Sequence, residues 1–326
     1  MRVNRLGWTD LELTNIGLGT FAIGGPDWEA GWGPQEDEES ISAIRRALEL
    51  GINWIDTAPA YGLGRAERVV CEALRDIDPA PMIATKCGLL WNEERKIENS
   101  LKKDSIRREV DDSLKRLHID VIDLYQIHWP VPDLELEEAW TAIAELVDEG
   151  KVRYAGVCNC DIEQLERLQS INRVASLQPP YSMIDRRVED RVLEYCKSHQ
   201  IGVIPYSPMQ RGLLTGKYTK DSVGKMDPRD HRRNEPYFQE PELSIHLKLV
   251  ERLGPVVERN KRSMAQLSLS WVLRRDEITA AIVGARSPSQ IEQTVLAGDW
   301  ELDKEDLLEI DKALKEHEST LKKVKQ

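Results

Sequence analysis

The sequence predicts an α/β fold of the (β/α)8 type, a TIM barrel, in a single domain of residues 1–326. Short apolar runs alternate with segments of helical periodicity along almost the whole chain, which is the order of βα units around a parallel sheet. Eight such runs are present, and no long linker or change of composition divides them. A closed barrel is therefore favoured over a doubly wound sheet with an appended domain.

The predicted strands are apolar runs bounded by turn-forming residues, as expected for strands that are buried on both faces. They lie at residues 16–20, 53–57, 82–86, 122–128, 152–157, 174–178, 202–206 and 280–283. Ahead of the first strand, residues 2–13 can pair as a short N-terminal β-hairpin. We expect this hairpin to cap the closed end of the barrel.

Between the predicted strands, apolar residues recur every three or four positions, which is the spacing of one face of a helix. Ile41, Ile44 and Leu48 share such a face, and the same spacing recurs within residues 106–117 and 136–147. Each of these faces is expected to pack onto the sheet.

Long loops are predicted at the rim formed by the carboxyl ends of the strands, where barrel proteins carry their active sites. The three longest connections span residues 21–37, 87–103 and 209–244. The third contains Arg229, Arg232 and Arg233, which form either a solvated surface or part of a lid that closes over anionic phosphates.

The composition limits the partners and the location that we expect. With 57 acidic and 45 basic side chains and a net charge of −12, the chain has no electrostatic footprint for nucleic acid. Because no apolar run is long enough for a membrane span or a signal peptide, we expect no membrane association. Five scattered cysteines are typical of reduced thiols in the cytoplasm. Cys158 and Cys160 have no second pair or nearby histidine, so no metal is predicted.

Four side chains that can move or hold protons follow predicted strands. Asp56, Lys86 and His128 stand at strand ends, and Tyr61 comes five residues after Asp56. Taken singly, Asp56 could cap a helix, Lys86 could pair with any carboxylate and His128 could be structural. Because the carboxyl ends of barrel strands share one rim, we expect all four to lie together.

Together, these four side chains form a set suited to proton transfer. A tyrosine phenol, with an ordinary pKa of about 10, is a poor acid at neutral pH unless a cation favours its deprotonated form. Lys86 can supply that cation, Asp56 can keep Lys86 charged, and His128 can orient a substrate carbonyl group. None of these residues can supply a hydride, so a reduction needs a cofactor.

A second chemical signal follows the eighth predicted strand, in the segment GARSPSQ at 284–290. Ser287 as N-cap, Pro288 at the first helical position and Gln290 in a capping box predict the start of a helix. The free N–H groups of that helix and the guanidinium of Arg286 would form an anion site. The alternative is a well-capped helix with Arg286 in solvent.

Seven short motifs occur in an order that resembles the aldo-keto reductase family. They are DTAPAYG at 56–62, ATK at 84–86, LYQIHWP at 124–130, GVCN at 156–159, LQPPYS at 177–182, PYSP at 205–208 and GLLTGK at 212–217. The resemblance covers the chain nearly from end to end. It implies a (β/α)8 barrel that reduces an aldehyde or ketone to an alcohol with NADPH, and therefore a small-molecule carbonyl substrate.

The resemblance also implies roles for individual residues. Tyr61 would be the general acid, Asp56 and Lys86 would tune it, and His128 would orient the carbonyl group. The residues implied to bind the cofactor are Thr20, Phe21, Asp56, Cys158, Asn159, Gln178, Tyr206, Ser207, Pro208, Gly212, Leu213, Lys217, Gly284, Arg286, Gln290 and Gln293. Among them, Arg286 would hold the adenosine 2′-phosphate.

Further roles implied by the resemblance concern the two ends of the cofactor. Asn159 and Gln178 would bind the nicotinamide carboxamide, while Tyr206 would stack on its ring. Gln290 and Gln293 would reach the adenine. Cys158 departs from the usual serine, and because a thiol is a poor hydrogen-bond donor, that single contact is in doubt. Gln293 stands where asparagine is commoner.

Tryptophans near the expected rim are candidates for substrate contacts, since flat aromatic walls are common in binding pockets. These candidates, which fall in predicted loops, are Trp28, Trp32, Trp91 and Trp129. Core packing is the alternative for each of them. By contrast, Trp54, Trp140 and Trp271 lie on periodic apolar faces and are predicted to be core residues.

Two other functions remain open from the sequence. The first is a redox-sensing module that binds NADPH but turns over slowly, as in the channel β-subunits that the family includes. The second makes Lys86 the Schiff-base amine of a barrel aldolase.

Overall fold

Eight parallel strands form the centre of the computed structural model, which describes residues 1–324. All strands, in chain order, are β1 (Val3–Arg5), β2 (Glu12–Thr14), β3 (Ile16–Gly19), β4 (Trp54–Asp56), β5 (Met82–Cys87), β6 (Leu89–Trp91), β7 (Ile97–Asn99), β8 (Ile122–Ile127), β9 (Val152–Cys158), β10 (Ser176–Gln178), β11 (Gly202–Val203) and β12 (Ala281–Gly284). The central sheet has the order β11-β10-β9-β8-β5-β4-β3-β12.

The two edges of this sheet meet, so the sheet curls into a barrel. The N–H groups of Thr279 and Ile282 donate hydrogen bonds to the carbonyl oxygens of Val203 and Pro205, at 2.9 and 3.0 Å. These bonds link the segment around β12 to β11. The predicted α/β barrel is confirmed, and all eight predicted strands occur.

Five of the predicted strands are shorter than expected, by one to three residues. The strand predicted at 202–206 covers only Gly202–Val203, and the one predicted at 174–178 begins at Ser176. Pro205 has no N–H group to donate to a ladder, which limits regular pairing at the end of β11. The predicted loop 87–103 contains the additional hairpin β6–β7.

Helices cover the outside of the barrel, as the periodic apolar faces predict. In chain order they are α1 (Asp37–Glu49), α2 (Arg65–Ala73), α3 (Lys103–Leu117), α4 (Leu136–Asp148), α5 (Ile162–Gln169), α6 (Val192–Ser198), α7 (Lys220–Gly224), α8 (Glu242–Arg252), α9 (Gly254–Asn260), α10 (Met264–Leu273), α11 (Pro288–Val295) and α12 (Lys304–Val324). Trp140 and Trp271 are fully buried core residues, as predicted. Within residues 1–324, no helix combines the length and apolar character needed to cross a membrane.

The lower half of the barrel interior is apolar and is closed by the predicted N-terminal hairpin. Strands β1 and β2 pair antiparallel, and Leu6, Leu11 and Leu13 pack against inward-pointing side chains such as Trp54. The Trp54 indole fills the space beside Gly17, where a Cβ atom would lie 2.0 Å from its ring. The hairpin therefore seals the barrel at the end opposite the site described below.

Two of the predicted long loops are ordered and pair across the open end of the barrel. Trp32 forms an isolated antiparallel bridge with Asp230, and the His231 N–H donates to the carbonyl oxygen of Gly31 at 2.8 Å. We call this contact the loop bridge. The segment 209–244 contains three 3-10 helices, helix α7 and the start of α8.

Candidate active site

A cavity of about 560 Å³ lies at the carboxyl ends of the barrel strands, beneath the loop bridge. Its size falls in the range of small-molecule and cofactor sites. Most of the residues predicted to bind cofactor or substrate line it, namely Phe21, Trp32, Asp56, Tyr61, His128, Trp129, Cys158, Asn159, Gln178, Tyr206, Ser207, Pro208, Gly212, Lys217, Gly284, Arg286, Gln290 and Gln293.

A buried ion pair stands at one end of the cavity. The Lys86 ammonium nitrogen lies 2.8 Å from both carboxylate oxygens of Asp56 and donates to the carbonyl oxygen of Thr57 at 2.9 Å. Lys86 is 0% exposed and Asp56 is 2% exposed. Because strands β4 and β5 are neighbours, with Asp56 paired with Ala84, the inward side chains at their upper ends meet inside the barrel.

The electrostatics of this pair keep the lysine charged. Burial by itself would lower the pKa of Lys86, but the charge of Asp56 raises that pKa above its ordinary value. Three hydrogen-bond acceptors surround the ammonium group, which is the condition under which a buried charge is tolerated. Lys86 is therefore a fixed positive charge at neutral pH.

Tyr61 lies against this charge. The Lys86 ammonium nitrogen is 5.1 Å from the centroid of the Tyr61 ring. Burial raises the pKa of the Tyr61 phenol above its ordinary value, while the charge of Lys86 lowers it and the charge of Asp56 raises it. The phenol therefore holds its proton, and a cation stands beside the phenolate that would form on its loss.

His128 completes the group of four. Its ring centroid lies 5.6 Å from that of Tyr61, in an edge-on arrangement. Burial, and then the charge of Lys86, hold the pKa of His128 well below its usual range, so the ring is neutral. Among residues 1–324, the Nδ1 atom of His128 has no hydrogen-bond partner. A neutral imidazole in this position can offer one N–H to a carbonyl oxygen.

Amide side chains beside the ion pair are held by internal hydrogen bonds. Gln178 donates to an Asp56 carboxylate oxygen at 2.8 Å. Asn159 has a backbone φ of 60° and donates to the carbonyl oxygen of His128 at 3.0 Å. The Tyr206 hydroxyl donates to the Asn159 carbonyl oxygen at 2.9 Å. These bonds orient both amides at the edge of the cavity.

The thiol of Cys158 is buried next to these amides, at the end of β9. Burial raises the pKa of this thiol, the charge of Lys86 lowers it and the charge of Asp56 raises it, with a net increase. Cys158 is therefore a neutral thiol at physiological pH. Its position along the cavity wall is the one predicted for the cofactor-contacting residue before Asn159.

Three cations line the far end of the cavity. The pKa of Lys217 is lowered mainly by burial and further by the charges of Arg232 and Arg286. The pKa of Arg286 is lowered mainly by burial and further by the charge of Arg232. Arg232 is itself buried, pairs with Asp230 at 2.6 Å, and stacks over the Trp32 ring at 4.2 Å. Cations that destabilise one another in this way favour an anion between them. The residues present therefore fit the phosphate groups of a dinucleotide.

Arg286 is held by the loop on the other side of the cavity. Its guanidinium donates to the side-chain oxygen of Gln35 at 2.6 Å, to the carbonyl oxygen of Trp32 at 3.1 Å and to that of Pro34. These bonds use three of the five N–H groups that an arginine offers. Arg286 is thus half-buried rather than free in solvent, and part of its hydrogen-bonding capacity remains for a ligand.

The helix after Arg286 begins where predicted, but the predicted capping box does not form. Ser287 is the N-cap of α11 and Pro288 is its first residue, yet the Ser287 side chain makes no capping hydrogen bond. Its hydroxyl lies 3.1 Å from that of Ser289, while the Gln290 side chain accepts from the backbone N–H of Arg286 at 2.8 Å. The hydroxyl is therefore not used for the cap.

Five predicted site residues do not line the cavity. One of them is Lys86, which is fully buried in its ion pair with Asp56. Leu213 is fully buried in a cluster with Phe238, and the Thr20 hydroxyl donates to the backbone carbonyl oxygen of Asp56 at 3.1 Å. Trp28 packs behind the cavity wall, with its ring centroid 5.1 Å from that of Phe21. Trp91 lies on the hairpin β6–β7. The roles of all the predicted site residues stay predictions.

The sequence analysis missed several residues that line the cavity. Gln35, Glu39 and Arg211 belong to segments without a recognised motif, and nothing in their local sequence signals a site. Arg232 was noted only as one of three basic residues with two possible roles, whereas Arg229 pairs with Asp227 on the surface.

Comparisons with known proteins place the chain near members of a single enzyme family. A family model described as the aldo/keto reductase family matches residues 15–315. The aldo-keto reductase YhdN of Bacillus subtilis is 38% identical over 317 residues, covering 96% of this chain and 94% of that protein. An Escherichia coli protein named NADH-specific methylglyoxal reductase is 35% identical over 306 residues, covering 90% and 92% of the two chains. The solved structure of a glycerol dehydrogenase from Gluconobacter oxydans superposes with a TM-score of 0.87 at 35% identity, covering 97% and 95%.

Proposed function

The chain belongs to the aldo/keto reductase family, and from this premise we propose that it reduces an aldehyde or ketone to an alcohol with NADPH, reversibly. The observation that carries the proposal is the convergence of Asp56, Lys86, Tyr61 and His128 at one end of a single cavity. Three cations at the other end support a dinucleotide in the same cavity.

NADPH, when bound, supplies the hydride. Tyr61 gives its phenolic proton to the carbonyl oxygen of the substrate, acting as a general acid. Lys86 stabilises the phenolate that remains, because its ammonium stays charged beside the ring. His128 offers an N–H to the same carbonyl oxygen and so fixes its orientation next to the phenol.

Asp56 acts through Lys86. A lone ammonium in this buried position would lose its proton, and the charge that favours the phenolate would disappear with it. The carboxylate holds the ammonium charged and fixes its position with two contacts of 2.8 Å. In the reverse direction, the same arrangement lets the Tyr61 phenolate accept the proton of an alcohol.

The cations Lys217, Arg232 and Arg286 would hold the phosphates of the cofactor, with Arg286 at the 2′-phosphate. Named relatives differ in their cofactor, since the Escherichia coli relative is named NADH-specific and a relative from Schizosaccharomyces pombe is named as NADP(+)-dependent. The choice of NADPH here rests on Arg286 and its neighbouring cations.

Substrates of small size are favoured by the names of two relatives, a methylglyoxal reductase and a glycerol dehydrogenase. Methylglyoxal and the oxidised forms of glycerol are three-carbon carbonyl compounds. The aromatic rings of Phe21, Trp32 and Trp129 line the cavity and would supply its apolar walls. Methylglyoxal is therefore the first substrate to test.

The test is a spectrophotometric assay of NADPH oxidation in the presence of methylglyoxal and a panel of other aldehydes. Tyr61→Phe should lower kcat by about 10²–10⁴-fold, the usual contribution of a general acid, while the Kd for NADPH stays within about twofold. Tyr154→Phe is a matched control, because Tyr154 contacts Trp8 and Asp10 at the opposite end of the barrel.

Retained turnover by Tyr61→Phe would refute the role of this phenol. If the unmodified protein binds NADPH tightly but oxidises it slowly with every carbonyl compound in the panel, the redox-sensing alternative replaces the reductase. Trapping of a substrate on Lys86 by borohydride would instead favour the aldolase chemistry.

A further inference from the structure

Glu39 lies at the same end of the cavity as Arg286. It is in the first turn of α1, and its exposed side chain lines the cavity together with Gln35, Arg286 and Gln290. Helices α1 and α11 are neighbours, and Gln35 and Arg286, which lie just before their first turns, share two hydrogen bonds of 3.0 and 2.6 Å, so the two helices start side by side. A carboxylate thus faces the position that the proposed function gives to the adenosine end of the cofactor.

The carboxylate of Glu39 is available to a ligand. Within residues 1–324 it makes no hydrogen bond or ion pair, whereas Asp37 in the same turn pairs with Arg65 at 2.6 Å. Its charge reaches Arg286, because it raises the pKa of that guanidinium against the lowering effects of burial and of Arg232. Glu39 and Arg286 therefore place opposite charges beside the same part of the cavity.

Arg286 is only partly available to a phosphate. Three of its N–H groups are occupied by Trp32, Pro34 and Gln35, as described above. A guanidinium that already serves three acceptors has fewer donors left for a bidentate contact. The preference of this end of the cavity for a phosphate is therefore weaker than a free arginine would make it.

We propose that Glu39 is a specificity-determining residue that weakens the binding of NADPH, strengthens the binding of NADH and so narrows the preference that Arg286 gives to NADPH. The proposal rests on the proposed function, since it assumes that the adenosine end of a dinucleotide lies between Glu39 and Arg286. It adds to that function a residue whose charge opposes the binding of the 2′-phosphate.

The physical reason lies in the group at the ribose 2′ position. In NADPH this group is a phosphate with a charge of about −1.5 to −2, which a carboxylate repels. In NADH it is a hydroxyl, which donates a hydrogen bond to a carboxylate, the contact that acidic residues make in dinucleotide sites specific for NADH. Arg286 has the opposite effect, and the balance of the two charges sets the ratio of affinities.

The test compares Glu39→Gln with Glu38→Gln. Both changes remove one negative charge from the first turn of α1, but Glu38 does not line the cavity, so it controls for effects on the helix and on net charge. Dissociation constants are measured by quenching of tryptophan fluorescence for NADPH and NADH. The fragments 2′,5′-ADP and 5′-AMP are measured as competitors, because they report the adenosine end alone.

Glu39→Gln should raise the ratio of the NADH to the NADPH dissociation constant by about three- to tenfold, a range that allows for solvent screening of an exposed charge. The effect should shrink at high ionic strength, and the two fragments should show the same change. Glu38→Gln should leave the ratio within about twofold, and Arg286→Ala should shift it in the opposite direction.

An unchanged ratio in Glu39→Gln, with both dinucleotides still bound, would overturn this proposal and leave the proposed function intact. An equal change in Glu38→Gln would also overturn it. If the unmodified protein bound neither NADPH nor NADH, the proposed function itself would fail.

Discussion

The Lys86 ammonium group is buried away from water and is surrounded by hydrogen-bond acceptors. Its ammonium has Asp56 and the Thr57 carbonyl oxygen as partners, and Gln178 donates to the same carboxylate. In a buried pair of this kind, the attraction offsets a large desolvation cost, so the pair adds little net stability but is costly to break. The ion pair therefore contributes more to the geometry and charge of the site than to the stability of the fold.

Removing one member of the pair should be more harmful than removing both charges. Lys86→Met leaves Asp56 buried without its cation, and we expect the free energy of unfolding to fall by about 3–5 kcal/mol. Adding Asp56→Asn to this variant should restore part of the loss, although activity stays absent. Urea unfolding measures both effects.

Lys96→Met is the control for this comparison, because the Lys96–Glu94 pair is exposed and should contribute less than about 1 kcal/mol. If the double variant is less stable than Lys86→Met, then Asp56 is stabilised by its remaining partners and this account of the pair is wrong.

At the scale of elements, two buried histidines join helices α8 and α12. The His246 Nδ1 and His317 Nε2 atoms lie 2.9 Å apart, so one nitrogen must donate while the other accepts. Both rings are buried. Burial, and then the charges of His246, Arg186 and Arg252, lower the pKa of His317 to about 4, against an opposing effect of Glu242. Protonation of one ring would place a charge in the helix interface, and protonation of both rings would leave two donors facing each other and break the bond.

This contact predicts a loss of stability in mild acid. The unfolded chain takes up a proton on His317 below about pH 6.5, whereas the folded chain does so only near pH 4. The free energy of unfolding should therefore fall as the pH drops from 6.5 to 4, by about 2–3 kcal/mol from this residue, with no further fall below pH 4.

The measurement is urea unfolding at pH 7.5 and pH 4.5. His317→Gln should show a smaller difference between the two pH values than the unmodified protein, since glutamine does not titrate. The control His199→Gln makes the same substitution at an exposed histidine outside the α8–α12 interface. An unaltered pH dependence in His317→Gln would contradict the prediction.

The elements themselves were largely predictable from the sequence because their signals are local. The residues of β4 and β5 form apolar runs, and their bounds differ from the predicted ones by one residue at each altered end. The capping box at Ser287 was predicted wrongly because two local partners compete for its hydroxyl, and only the folded first turn of α11, which holds Ser289, decides between them. The pairing of two histidines 71 residues apart has no local signal.

At the scale of the whole molecule, the N-terminal hairpin closes the barrel. Leu6 is 0% exposed and packs into the apolar interior, and Gly7 approaches the backbone of Gln200 so closely that a Cβ atom would lie 2.3 Å from its carbonyl oxygen. The hairpin is therefore part of the core rather than a surface addition.

Leu6→Ala should lower the free energy of unfolding by about 2–5 kcal/mol, the usual cost of a large cavity in a core. Val3→Ala, in the same hairpin, should change it by less than about 0.5 kcal/mol because Val3 is 52% exposed. Thermal or urea unfolding compares the two. Similar losses in both variants would show that the hairpin does not seal the barrel.

The convergence of the four proton-handling residues could be expected from the sequence, because barrel topology alone brings strand ends to one rim. The contributions of Gln35 and Glu39 could not, and for Arg232 the sequence left two roles open, since these contributions depend on how two long loops fold back over the cavity. Such loops are held by backbone hydrogen bonds and by contacts between residues far apart in the chain, and neither leaves a periodic pattern in the sequence.

The loop bridge between Trp32 and Asp230 has a kinetic consequence. It spans the opening through which a long, charged molecule would have to pass, with Arg232 stacked on the Trp32 ring and Arg286 bonded to the same loop. A dinucleotide bound as the proposed function places it would leave only when these segments separate, whereas a small carbonyl compound would need a narrower opening. We therefore expect departure of the oxidised dinucleotide, rather than bond making at the carbonyl carbon, to limit the steady-state rate.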